Sequence, residues 1–185
     1  MAEDLLDDAE AVRRLQRGEE EALIALYDKY QGRVFRFAVR LLGRSDDAEE
    51  VVADTFVQVF RTCRAYREEG AFSGWLFRIA RNLCFARLRS LPRFRTVSLE
   101  ELPEEGDSDA GDPTEDTTLR IIVRQALEGL ASDYRLVLTM RELEGLTNAE
   151  AAQALGRTPS ATKSLHFRAR RALRDAVVEA LGKEE

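Results

Sequence analysis

Apolar residues recur at three- and four-residue spacing along most of this chain of 185 residues. Over 19–42, Leu23, Leu26, Tyr30, Val34, Phe37 and Leu41 fall on one side of a helix. Val52, Phe56, Val59 and Cys63 do the same over 45–63, and Phe72, Leu76, Ile79 and Leu83 over 72–89. A further helix is expected over 5–17, and Gly18 and Gly43 end the first two. Beyond residue 116 the pattern predicts helices over 117–130, 132–143, 148–155 and 159–181. No alternating strand pattern competes and no internal repeat is present, so the fold class is all-α. Between 96 and 116 the periodicity lapses, and Pro103, Gly106, Ser108, Gly111 and Pro113 interrupt it. That segment reads as an extended, flexible linker. The expected architecture is two small helical domains, 1–95 and 117–185, joined by a linker over 96–116.

The sharpest local signal lies between Thr147 and Arg174. Thr147-Asn148-Ala149-Glu150 has the form of a capping box opening a short helix, and Ala151, Ala152 and Ala154 keep it slim. Gly156 permits the left-handed turn that ends it. Thr158 and Pro159 then supply an N-cap and a first helical residue that needs no N–H donor. The next helix carries Lys163, Arg168, Arg170, Arg171 and Arg174 before its first acid, Asp175. A short capped helix, a glycine turn and a basic helix form a helix-turn-helix that reads duplex DNA. Thr162, Leu165, His166, Ala169, Ala172 and Leu173 form its inward side, with His166 packed as an imidazole rather than acting as a DNA contact. Ser160, Lys163, Ser164, Phe167, Arg168, Arg170, Arg171 and Arg174 remain for phosphates, guanine edges or a thymine methyl.

Two earlier surfaces carry further chemistry. Beside the apolar side of the 72–89 helix runs a stripe of Trp75, Arg78, Asn82, Phe85 and Arg89, with Arg81 adjacent. Cations, aromatics and an amide together suit single-stranded nucleic acid; a packed core with solvated arginines is the plainer alternative. The 45–63 helix opens with Asp46, Asp47, Glu49, Glu50 and Asp54, with Gln58 further along. Acids in a first turn favour the helix dipole, but Asp54 lies beyond that reach, which points to a face for a basic protein partner.

Charge sharpens this division. The net charge is −6, yet the stretch 99–116 holds nine acids and no Lys or Arg, and the rest of the chain carries +3. No apolar run reaches membrane-spanning length and the N-terminus is acidic, so a cytoplasmic protein with no membrane insertion of its own is expected. Two cysteines and one histidine without ligand spacing predict free buried thiols and no metal site. No cofactor-cradling loop or nucleophile–base pair appears, which argues against an enzyme.

Three blocks in order resemble the extracytoplasmic-function (ECF) group of bacterial RNA polymerase sigma factors. Asp46-Asp47-Ala48-Glu49-Glu50-Val51-Val52-Ala53-Asp54-Thr55-Phe56 resembles the family's polymerase-binding helix. Phe72-Ser73-Gly74-Trp75-Leu76-Phe77-Arg78-Ile79-Ala80-Arg81-Asn82-Leu83 resembles its −10 segment, and the helix-turn-helix with Lys163-Ser164 and Arg168-Ala169-Arg170 its −35 reader. The resemblance implies that 1–95 is a sigma region 2 bundle and 117–185 sigma region 4. It implies core RNA polymerase, promoter DNA and an anti-sigma factor as partners, and no cofactor. Asp46, Asp47, Glu49, Glu50, Asp54 and Gln58 would meet polymerase. Trp75, Arg78, Arg81, Asn82 and Arg89 would serve −10 recognition, with the loop over 64–71 capturing a flipped base. Ser160, Lys163, Ser164, Phe167, Arg168, Arg170 and Arg171 would serve −35 recognition. The acidic linker would thread a polymerase channel until nascent RNA displaces it. Ala53, Ala86, Ala131 and Leu165 depart from residues common in relatives; Leu165 with Phe167 suggests apolar −35 contacts. The rival readings are a stand-alone helix-turn-helix repressor and an interaction scaffold that never touches DNA.

Overall fold

The computed structural model describes residues 7–67, 70–90 and 115–182. Among the described residues every regular element is helical: α1 (Asp8–Gln16), α2 (Glu21–Leu42), α3 (Ser45–Thr62), α4 (Phe72–Ser90), α5 (Glu115–Gly129), α6 (Ser132–Leu138), α7 (Asn148–Leu155) and α8 (Pro159–Leu181). The helix-ending signals act as the residue types dictate. Gly43 adopts φ 71° and its N–H closes on the Val39 carbonyl at 2.7 Å. Thr147 Oγ1 accepts from the Glu150 N–H at 3.3 Å while Glu150 Oε2 accepts from the Thr147 N–H at 2.6 Å, a complete capping box. Gly156 turns the chain at φ 65°, and Thr158 Oγ1 accepts from the Ala161 N–H to start α8.

Helices α1 to α4 form the first unit. Leu26, Val34, Phe37, Val59, Leu76 and Phe77 fill its centre, with Phe37 and Phe77 edge to face at 5.3 Å. Helix α1 is fastened at both ends. Tyr30 donates to Asp8 at 2.6 Å, and the Gln16 amide donates to the Cys63 and Tyr66 carbonyls at 2.9 Å. Those carbonyls lie at the start of the tight turn Cys63–Ala65 and just after it, on the way to α4, so α1 braces the loop before that helix.

Helices α5 to α8 form the second unit, around Ile122, Leu136, Val137, Met140, Leu146, Leu155, Leu165 and Ala169. Two boundaries differ from the sequence reading. Helix α5 starts at Glu115, inside the segment read as linker. The rest of that linker, 96–114, lies outside the described residues. The helix expected over 132–143 is α-helical only to Leu138; Thr139–Leu143 form a wider turn, in which the Glu144 N–H bonds five residues back to the Thr139 carbonyl.

The buried side of α4 also differs. Phe72 and Leu76 are buried as expected, but Ile79 and Leu83 are only partly so, while Ser73, Gly74, Phe77, Ala80 and Cys84 are buried. At 100° per residue the core side is rotated toward Phe77 and Ala80. The reason is a second covering surface: α7 packs against α4, joining the two units through one continuous core.

Cys63 and Cys84 are free and buried, and burial pushes the Cys84 thiol up to about 12. At pH 8 the Cys84 thiolate fraction is then on the order of one in ten thousand. The native protein is expected to leave both cysteines unalkylated by iodoacetamide at pH 8, and the denatured protein to label at both, as read by mass spectrometry.

Candidate nucleic-acid and polymerase interfaces

The outer side of α8 is continuous. Ser160, Lys163, Ser164, Phe167, Arg168, Arg170, Arg171 and Arg174 are all exposed, and Phe167 is 71% accessible, an unusual position for a large aromatic ring. The inner side is held by Thr162, Leu165 and Ala169. Leu165 is therefore a core residue, 3% exposed, and is unavailable for the apolar DNA contact suggested for it. His166 is packed as expected, with Nε2 2.7 Å from Glu142 Oε1. Some cations are already partly engaged: Arg170 lies 3.7 Å from Glu142 and Arg171 3.8 Å from Asp175. Exposed pairs of that kind are weak and screened by salt, so they yield readily to phosphate.

On α4, Arg78, Asn82 and Arg89 are exposed along one arc, at 240–280° when Phe72 is set at zero. Trp75 borders the arc and is half-buried. Its ring meets Tyr66 at 4.5 Å and Phe72 at 5.8 Å. Tyr66 in turn donates to the Gly70 carbonyl at 2.8 Å. The loop preceding α4 is thus folded around an aromatic cluster, and the indole is fixed at its edge. Residues 68 and 69 of that loop lie outside the described residues. Arg81 is set apart from the other stripe residues: it stacks on half-buried Phe85 and donates Nη1 to the Ala154 carbonyl of α7 at 3.2 Å.

On α3, Asp46, Glu49, Glu50, Asp54 and Gln58 are exposed, whereas Asp47 is 8% exposed. Asp47 accepts from Arg87 at 2.8 Å and lies 3.2 Å from Arg44; Arg87 also reaches Glu50. Asp47 therefore ties α3 to α4. The sequence reading missed an apolar component beside the acids: Ile24 and Tyr27 on α2, and Val57 and Phe60 on α3, are exposed, and Tyr27 touches Phe56 across the two helices at 4.9 Å. The signal was present, since Phe60 is an aromatic residue outside the inward Val52–Phe56–Val59–Cys63 row. An acidic rim around an apolar patch suits a basic, partly apolar protein surface. Among the described residues no group of three His, Cys, Asp or Glu could hold a metal ion, and no helix is long and apolar enough to cross a membrane.

Comparison with known proteins agrees with this layout. The sigma-70 region 2 model matches residues 26–94, and the sigma-70 region 4 model matches residues 120–173. The "ECF RNA polymerase sigma-E factor" of Haemophilus influenzae is 31% identical, aligned over 96% of this chain and 98% of its own length. The "ECF RNA polymerase sigma factor SigE" of Mycolicibacterium smegmatis is 35% identical over 81% of this chain, which spans 59% of that relative's length. Among solved structures, CnrH in complex with the cytosolic domain of CnrY superposes with a TM-score of 0.68 at 26% identity, covering 94% of this chain and 97% of CnrH. With two region models matching in order over most of its length, the chain belongs to the ECF group of RNA polymerase sigma factors.

Proposed function

We propose that this sigma factor docks on core RNA polymerase through the acidic and apolar surface of α2 and α3, reads −35 DNA with α8, and uses the exposed arc of α4 to recognise and open the −10 region. The observation that carries this reading is the separation of three chemically distinct exposed surfaces on one chain. One is acidic and apolar, one is cationic with a fixed indole and an amide, and one is a capped basic helix. Lys163, Arg168, Arg170 and Arg171 meet phosphates or guanine edges, Ser160 and Ser164 hydrogen-bond, and Phe167 offers an apolar contact. At −10, Arg78, Arg81, Asn82 and Arg89 hold backbone and base edges, and Trp75 stacks on an unpaired base, offsetting the few kcal/mol of unstacking. Asp46, Glu49, Glu50, Asp54 and Gln58 face polymerase, and Asp47 positions that helix through Arg87. A first region over 1–95 and a second that begins with α5 at Glu115 belong to this proposal, as does action in the cytoplasm as a non-catalytic initiation factor. An anti-sigma protein is its expected regulator: the structural relative CnrH was solved with the cytosolic domain of CnrY.

The deciding experiment is in vitro transcription with bacterial core polymerase and a genomic promoter library. Addition of this protein is expected to create discrete start sites sharing two spaced elements; tight binding to a palindrome by the protein alone, with no new starts, would favour a repressor. Two substitutions separate the roles on α8. Lys163→Ala is expected to weaken holoenzyme binding similarly across promoters and to lower the salt slope by about 1, whereas Phe167→Ala should relax selection at one −35 position, both read by binding titrations at several salt concentrations. On the opposite surface, Asp54→Lys and Phe60→Ala are each expected to weaken association with core polymerase by about tenfold or more, as for truncated interface anchors. Unchanged affinity in a fluorescence-anisotropy assay would move the docking surface elsewhere.

A further inference from the structure

We infer that Gln16 of α1 is a positioning residue for base capture: its side-chain amide holds the loop before α4 and, through Tyr66, sets the indole of Trp75 where an unpaired −10 base stacks. The consequence for promoters rests on the function proposed above; the tether itself does not.

The loop before α4 opens with the tight turn Cys63–Ala65 and leaves it extended at Tyr66. The Tyr66 N–H closes the turn by donating to the Cys63 carbonyl at 3.0 Å. Gln16 Nε2 donates to that same carbonyl and to the carbonyl of Tyr66, both at 2.9 Å. A side-chain amide nitrogen carries two N–H donors, and both are used here. Because the two acceptors bracket the turn, the amide fixes where the chain enters it and where it leaves.

From Tyr66 the constraint passes to the base-reading surface. Tyr66 Oη donates to the Gly70 carbonyl at 2.8 Å, which ties the far end of the loop to the same residue. The Tyr66 ring packs on Trp75 with centroids 4.5 Å apart and planes inclined by 37°, and reaches Phe72 at 6.4 Å. Phe72 is buried in the core, whereas Tyr66 is half-buried and takes its place from the loop backbone. Displacing Tyr66 therefore removes one support of the indole. Arg64 and Arg67 are exposed on either side of Tyr66 in sequence, so the segment held by Gln16 also carries two cations suited to phosphate.

Helix α1 is seated independently of this contact. Ala11, Val12 and Leu15 are buried in the first unit, and Asp8 accepts from Tyr30 at 2.6 Å. Loss of the Gln16 amide leaves α1 in place and releases the loop alone. A released loop has to be ordered at the moment a base is captured. That cost falls on the −10 step and not on polymerase docking by α2 and α3.

Trp75 is the single tryptophan of the chain, so its emission reads the tether directly. In the full chain without polymerase, Gln16→Glu keeps the shape of the side chain and removes both donors. It is expected to shift Trp75 emission to longer wavelength and to raise its quenching by acrylamide. Gln16→Ala is expected to do the same, and Gln16→Lys, whose ammonium again donates, to return both signals toward wild type. Circular dichroism verifies retained helix content, and a variant that loses it is set aside in favour of the other. Unchanged emission and quenching in the folded Gln16→Glu and Gln16→Ala variants, or Gln16→Lys as altered as Gln16→Glu, would overturn the tether. For base capture, holoenzyme assembled with Gln16→Glu is expected to bind a single strand carrying the −10 element, taken from the protein's own start sites, at least about fivefold more weakly than wild type, with core affinity unchanged. A loosened Trp75 with unchanged strand affinity would leave the tether standing and overturn its role in base capture. Wild-type holoenzyme without affinity for the strand would overturn the promoter-reading function and the base-capture role with it, while the fluorescence result would still decide the tether.

Discussion

The double burial of α4 is the constraint from which the remaining arrangement follows. One side of this helix supplies Phe72, Leu76 and Ala80 to the four-helix core; the next supplies Ser73, Gly74 and Phe77, reached by α7 or α2. Phe77 meets the edge of Phe37 and lies beneath the Arg33 guanidinium, 5.5 Å from its ring. A helix surrounded on two sides has one arc left for solvent, and Arg78, Asn82 and Arg89 occupy it. Trp75 is fixed at the border of that arc by Tyr66 and Phe72, so the candidate base-stacking group is positioned by the same packing that excludes the rest of the helix from water.

Legibility from sequence follows the range of the interaction involved. Local signals carried through: the Thr147–Glu150 box, the turns at Gly43 and Gly156, and the Thr158-Pro159 start all depend on residues a few positions apart, and each appears where its chemistry places it. On α2 the expected row is buried at Leu26, Tyr30, Val34 and Phe37, while Leu23 and Leu41 are only partly so and Val39 and Leu42 are buried on another side. Helix α4 was not fully legible, because a second buried side appears only when a segment some 70 residues away is known to cover it, as Ser73 and Glu150 illustrate. Asp47 shows the same limit: its composition suits a docking acid, while its partner Arg87 lies forty residues on and converts it into a tie between α3 and α4. Leu165 was ambiguous on the helical wheel, standing beside the inward row, and packing resolved it.

Charge is distributed by role rather than by net balance. The carboxylates that hold the fold, Asp47, Glu144 and Glu150, all have a named partner on another helix. Burial raises the Glu150 carboxyl, but hydrogen bonds from Ser73 and Thr147 outweigh it and hold the group below the usual carboxylate range. Its depressed pKa adds stability above the ordinary carboxylate range that is lost as pH falls through the lowered value. Glu50, exposed on α3, shares Arg87 with Asp47, whereas the exposed cations Arg170 and Arg171 of α8 are paired only loosely, which leaves them to outside partners.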